Sequence, residues 1–238
     1  MPKHWIPLES NPDILNAFAS KLGVSNIPSD YSFCDVFGLD DELLAMVPSP
    51  CLAVLLLFPI TPETEQIRKE EAEQLKASNA PKNPESVFYM KQTIGNACGT
   101  IGLLHCVANS KTVLNFKPGS FLEQFLNDTN DLSPDARGKH LEQPPEGAIS
   151  IDAIHEEAAQ QGATEAPPAD ADVDLHFVAF VPGSDNHLWQ LDGRKAGAID
   201  HGETTSESLL RDVAAVVKKN FVEKANSLNF SLIALAAS

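Results

Sequence analysis

The apolar positions of the first fifty residues fall largely at helical spacing. Asn11-Pro12-Asp13 supplies a capping side chain, a first-turn proline and an acid at the positive end of the helix dipole. Ile14, Leu15, Phe18 and Leu22 then share one face. A short helix is predicted after Asp40, carrying Leu43, Leu44 and Val47, and Phe33 to Phe37 reads as a strand. Ala53 to Phe58 is apolar without interruption and bounded by Pro50 and Pro59, the pattern of a strand covered on both faces. Glu63 to Lys76 is charged with few apolar positions, so a surface helix is expected there. Ser78 to Pro84 reads as a loop.

Ala97 to Ala108 is apolar almost all round, which predicts a buried central helix. Ser133-Pro134-Asp135 starts another. From about Leu141 to Asp172 the pattern weakens, with proline pairs at both ends and a weak helix over Ile151 to Gln160. A stretch of that length without firm structure is usually functional or a linker. Val173 to Val181 then reads as a strand, Pro182 to Asn186 as a turn, and Leu188 to Leu191 as the returning strand. Ser206 to Phe221 is an amphipathic helix through Leu209, Leu210, Val213, Val217 and Phe221, and Phe230 to Leu235 closes the chain as a buried strand.

Composition narrows the partners. An apolar content of 43% over 238 residues suits one medium domain with a sizeable core. The formal charge is −16, from 17 basic and 33 acidic residues. Phosphate binding needs a basic surface, so nucleic acid is not the expected partner. An acidic surface suits a basic protein or peptide, or simply solubility. Four cysteines in a chain this long do not read as a disulfide framework. The polar start and the short apolar run from Cys51 to Phe58 lead us to expect no secretory leader and no membrane span. We expect a monomer in the reducing cytoplasm or the nucleus.

Candidate chemistry centres on Cys98. It stands where loop-like Gly95-Asn96 gives way to the apolar helix. The unpaired N–H groups of a helix start favour a thiolate. Taken alone, Cys98 is as readily a small buried hydrophobe. Cys34, Cys51 and Cys106 lack this setting and are assigned to packing. A nucleophilic cysteine needs a base and an orienting partner. His176 lies within an apolar strand, where burial is costly without a partner. A turn centred near Ser184 would set Asp192 of the returning strand nearly opposite it. His105 is on the helix of Cys98 but two turns away. His187 is in a turn, and His4, His140, His155 and His201 sit in polar or loop contexts. None forms a metal-ligand spacing with a cysteine, so no metal is expected.

The chain resembles the ubiquitin C-terminal hydrolase family, most closely its small members, and it does so essentially end to end. The segments that carry the resemblance are Trp5-Ile6-Pro7-Leu8-Glu9-Ser10-Asn11-Pro12, Leu55-Leu56-Leu57-Phe58-Pro59, Gln92-Thr93-Ile94-Gly95-Asn96-Ala97-Cys98-Gly99-Thr100-Ile101-Gly102, Val173-Asp174-Leu175-His176-Phe177 and Leu191-Asp192-Gly193-Arg194. The resemblance implies a papain-like α/β (α+β) cysteine protease fold: one domain over residues 1–238, with an antiparallel central sheet flanked by helices and a knotted backbone. It implies a thiol hydrolase that removes small adducts from the C-terminal glycine of ubiquitin without metal or cofactor. Cys98 is then the nucleophile, His176 the base and Asp192 its orienting partner, and Gln92 shares the oxyanion hole with the Cys98 N–H. Pro7 and Leu8 resemble a segment that touches ubiquitin, and about 144–170 corresponds to a crossover loop that limits the leaving group. Two alternatives stay open: a preference for a ubiquitin-like modifier, and a ubiquitin-binding protein with little turnover.

Overall fold

The computed structural model describes residues 3–77, 84–162, 167–169, 171, 173–225 and 229–238. The strands are β1 (Tyr31–Asp35), β2 (Cys51–Pro59), β3 (Leu175–Pro182), β4 (His187–Leu191), β5 (Ile199–Glu203) and β6 (Ser231–Ala237). They form one sheet in the order β1-β6-β2-β3-β4-β5, and every neighbouring pair is antiparallel. The main helices are α1 (Pro12–Leu22), α2 (Asp41–Leu44), α3 (Pro62–Ala77), α4 (Cys98–Asn109), α5 (Phe121–Thr129), α6 (Pro134–Glu142), α7 (Asp152–Ala159) and α8 (Leu209–Val217).

The unbroken apolar runs of β2 and β3 follow from their central position. Successive side chains of a strand point to opposite faces, and here each face has its own core. Ala53 and Leu55 of β2 join Phe177, Ala179 and Val181 of β3 beneath α1, α4, α5 and α7. Val54, Leu56 and Phe58 join Val178 and Phe180 beneath α2 and α8. Helix α4 is buried along nearly its whole length, from Gly99 to Ala108. It lies so close to the sheet that a Cβ at Gly102 would stand 2.8 Å from Leu55, while one at Gly99 would stand 3.0 Å from Leu8 of the segment before α1. The residue that opens α4 is thereby held against the sheet.

The expected elements are present, with shifted ends. In α1 the Asn11 side chain accepts from Asp13 N, and Gly23 ends the helix in the left-handed region. β1 begins earlier than expected and leaves Phe37 outside, 68% exposed, because pairing with β6 stops near Val36. The last long helix starts at Leu209 and widens into a π-turn over Lys218–Val222, which keeps Phe221 buried against Phe58 at 5.1 Å between rings. Of the loop expected over Ser78 to Pro84, only Pro84 is among the described residues. His155 departs from its expected polar surroundings. It is buried, with partners for both ring nitrogens and Trp5 stacked 4.2 Å away.

Helix α6 positions the segment before Cys98. Arg137 donates to the carbonyls of Thr129, Tyr89 and Asn130. A Cβ at Gly138 would stand 2.5 Å from the Lys91 carbonyl oxygen and 2.9 Å from Thr93. Gly138→Ala should therefore push α6 off this segment and cost about 1–3 kcal/mol. The check is a lower urea midpoint at unchanged m-value.

Candidate active site

Cys98 is the first residue of α4. No side chain caps the helix there, and Asn96 turns the chain into it with a φ of 57°. The N–H groups of the first turn are left with the helix's partial positive charge. Burial raises the Cys98 thiol, but a hydrogen bond and charge from His176 and the backbone of Phe177 outweigh it, so the thiol sits below its ordinary value.

His176 lies on β3, 3% exposed, with the ring of Phe58 set edgewise 5.7 Å away. Its Nε2 bonds Asp192 Oδ1 at 2.8 Å, which leaves Nδ1 for the sulfur. Burial lowers the imidazole, yet the charge and hydrogen bond of Asp192, with a further contribution from Cys98, carry it up to about 9. Asp192 is 1% exposed. Burial raises its carboxyl, but His176, Lys195 and the Arg194 N–H hold it well below the usual carboxylate range. That N–H donates to Oδ1 at 2.9 Å.

The two side chains meet by a route one step different from the expected pairing. Ala179 pairs with Leu191 and Phe180 with Gln190, so the turn centres on Asp185 rather than Ser184. Asn186 takes a φ of 61°, and the Gly183 N–H closes on the His187 carbonyl. Continuing this register sets Asp192 beside Val178, and it reaches His176 diagonally on the same face.

Gln92 is brought to the same turn. Its N–H donates to Gly193 O at 3.0 Å, and a Cβ on Gly193 would stand 2.9 Å from Gln92. Only glycine permits so close an approach of the two segments. The Gln92 Nε2 donates to Ile94 O at 3.0 Å, while Oε1 is buried without a partner among the described residues. An amide has two hydrogens, so one remains for an oxyanion. Leu8 is buried against Gly99, and Pro7 is the half-buried neighbour that retains exposed surface.

Burial pushes the Cys51 thiol up to about 12 and raises that of Cys106 as well, which agrees with packing roles. His105 is fully buried, accepts from Met90 N at 3.1 Å and stacks on Tyr89. Among the described residues, no group of three or more His, Cys, Asp or Glu is gathered for a metal ion.

Several residues around the site escaped the sequence analysis. Tyr89, fully buried, donates to the carbonyls of Asp192 and Lys195 at 2.8 and 2.7 Å. Asn96 donates to Ala169 O and Ala171 O, and His155 of α7 bonds Thr100 at 2.8 Å. Residues two before and two after Cys98 are thus tied to the region of 144–170. Asn96 and Thr100 were visible in the string around Cys98, but their partners lie more than fifty residues away and no local pattern announces them.

A thiol below its usual value, an imidazole above its own and a carboxylate behind it define a cysteine hydrolase of the thiolate–imidazolium type. A family model described as "Ubiquitin carboxyl-terminal hydrolase, family 1" matches residues 5–223. A Dictyostelium discoideum protein named "Probable ubiquitin carboxyl-terminal hydrolase" is 46% identical over 98% of this chain and 88% of its own length. The rat ubiquitin carboxyl-terminal hydrolase isozyme L1 is 43% identical over 96% of each chain. Among solved structures, the catalytic domain of Trichinella spiralis UCH37, bound to ubiquitin vinyl methyl ester, superposes with a TM-score of 0.71 at 20% identity. That match covers 98% of this chain and 95% of the other. The chain belongs to the ubiquitin carboxyl-terminal hydrolase family.

The titration pattern has a signed consequence. Turnover should fall on the acid side as the Cys98 thiolate is protonated, and on the alkaline side as His176 loses its proton near pH 9. Asp192→Asn removes the charge that raises His176. It should bring the alkaline limb to lower pH and slow kcat by roughly a hundredfold or more while the fold persists. The pH profile of kcat/KM with the variant's circular dichroism spectrum checks this.

Proposed function

We propose that the chain cleaves small adducts from the C-terminal glycine of ubiquitin, with Cys98 as nucleophile. The observation that carries the assignment is the buried 2.8 Å bond from His176 Nε2 to Asp192, which leaves the other ring nitrogen facing a thiol of lowered pKa. The names of the relatives and the ubiquitin adduct bound to the structural neighbour supply the substrate class.

In this mechanism the Cys98 sulfur, as thiolate, attacks the carbonyl carbon of the terminal glycine. The oxygen takes the negative charge and is held by the Cys98 N–H and the Gln92 amide. The tetrahedral intermediate collapses to a thioester, and imidazolium His176 gives its proton to the leaving amine or alcohol. Neutral His176 then takes a proton from water, whose oxygen attacks the thioester and releases the ubiquitin carboxylate. Asp192 keeps the ring oriented and stabilises its charged form.

The ties from Asn96 to Ala169 and Ala171, and from Thr100 to His155, support reading 144–170 as a crossover segment that limits the leaving group. Residues 163–166 and 170 of that segment lie outside the described residues. Pro7 remains a candidate contact for ubiquitin, with Leu8 beneath it as support. The reading carries with it a monomer acting in the cytoplasm or nucleus.

Release of a fluorophore from the ubiquitin C-terminus tests the assignment. Wild type should turn over and Cys98→Ala should fall to the uncatalysed rate. Faster turnover of a ubiquitin-like fusion would move the specificity to that modifier. Tight ubiquitin binding without turnover would leave only a binding role.

A further inference from the structure

Beyond the thiol, imidazole and carboxylate, a further pair of charged groups adjoins Asp192. Lys195, three residues further along the same turn, is only 5% exposed. Its Nζ reaches Glu71 Oε2 of α3 at 2.6 Å, and the Glu71 side chain is itself only 16% exposed. The Lys195 N–H donates to the Asp192 carbonyl at 3.0 Å, and the Tyr89 hydroxyl bridges the carbonyls of both residues. We infer that Lys195 and Glu71 are positioning residues, extending the site into a row of alternating charges (Cys98, His176, Asp192, Lys195, Glu71) that anchors the Asp192 turn to α3. The inference rests on the catalytic reading of Cys98, His176 and Asp192 given above.

The chemistry of burial supports this role over a purely stabilising one. An ammonium group removed from water is costly unless paired. A buried ion pair also rarely adds net stability over an apolar pair of the same shape. What such a pair does supply is direction, since each charge has one place where it is satisfied. Here that place determines where the turn carrying Asp192 sits. His176 and Asp192 line a small pocket together with Phe58, Ile67, Arg68, Glu71, Lys195 and Phe221. The pair therefore stands in the outer wall of the catalytic hydrogen bond.

The row also has a sign that can be tested. The charged and titratable groups around His176 and Asp192 are Cys98 from α4, with His105 further along it, and Arg194 and Lys195 from the turn. Glu65, Arg68 and Glu71 face them from α3, and Tyr89, Lys91 and Asp135 from the segments beneath. Glu65 is already engaged by Arg68 and Arg194. Lys195 and Glu71 carry opposite charges, so together they add no net charge beside the site. Removing the glutamate charge leaves a net positive group that disfavours the imidazolium, and removing the lysine charge leaves a net negative one that favours it.

The experiment is the pH profile of kcat/KM on a ubiquitin C-terminal fluorophore, with the pH dependence of Cys98 alkylation by iodoacetamide as a second readout. Glu71→Gln should move the alkaline limb down and Lys195→Met should move it up, each by up to about one unit, the size expected for a charge about 10 Å away at an effective dielectric of about 20. Both should lower kcat several-fold with little change in KM. The double variant should return the limb to its wild-type position, and Lys195→Arg should keep it there. Should Lys195→Met fail to fold, the double variant against Glu71→Gln reads the same charge. Limbs that stay fixed in both single variants, or move in the same direction, overturn the row. Retained turnover in Cys98→Ala, measured alongside, would instead overturn the reading of the site itself.

Discussion

The geometry of the site depends on one buried bond, from the imidazole of His176 to the carboxylate of Asp192. Neither group tolerates burial alone, and together they lose most of their hydration. The pair persists because its remaining capacity is satisfied at fixed points. The Arg194 N–H donates to the carboxylate and the Tyr89 hydroxyl to the Asp192 carbonyl, while Gly193 lets Gln92 close against the turn. A shift in any of these would move the carboxylate relative to the ring. That explains why an otherwise ordinary core tyrosine carries its hydroxyl into this position.

The sheet supplies the rigidity. His176 stands near the start of β3 and Cys98 at the start of α4, elements far apart in sequence. They meet because β2 and β3 are covered on both faces and α4 packs on one of them through Gly99 and Gly102. A methyl group at Gly102 would press on Leu55 of β2, raise the helix from the sheet and move the sulfur from the ring. The small residues after Cys98 are thus as much a distance requirement as a packing choice.

How much of this could be read from the chain follows the range of the interactions. Helix α1 was legible because its cap, proline, apolar face and terminal glycine are contiguous. The runs of β2 and β3 were legible because two-sided burial leaves no polar position. The His176–Asp192 pairing came close, since a hairpin is local, and missed by one residue at the turn centre where Asn186 adopts a left-handed conformation. Tyr89, Lys195 and His155 were not legible. A buried hydroxyl, an ammonium or an imidazole is indistinguishable in sequence from a surface one when its partner lies fifty to a hundred and fifty residues away. The same holds for α3, whose charged sequence reads as a solvated face but sends Glu71 to a buried lysine.

The overall charge adds a further constraint on the site. With a formal charge of −16, the field of the protein as a whole favours the imidazolium of His176 and opposes the thiolate of Cys98. The thiol is nevertheless lowered, so local donors must prevail over the distant acids. They can, because exposed charges further than about 10 Å are screened by salt while contacts inside the site are not. The His176 ring, the Phe177 backbone and the uncapped start of α4 all act at contact range. A strongly acidic chain is therefore compatible with a Cys98 thiolate only where the cation is placed against the sulfur, and β3 places it there.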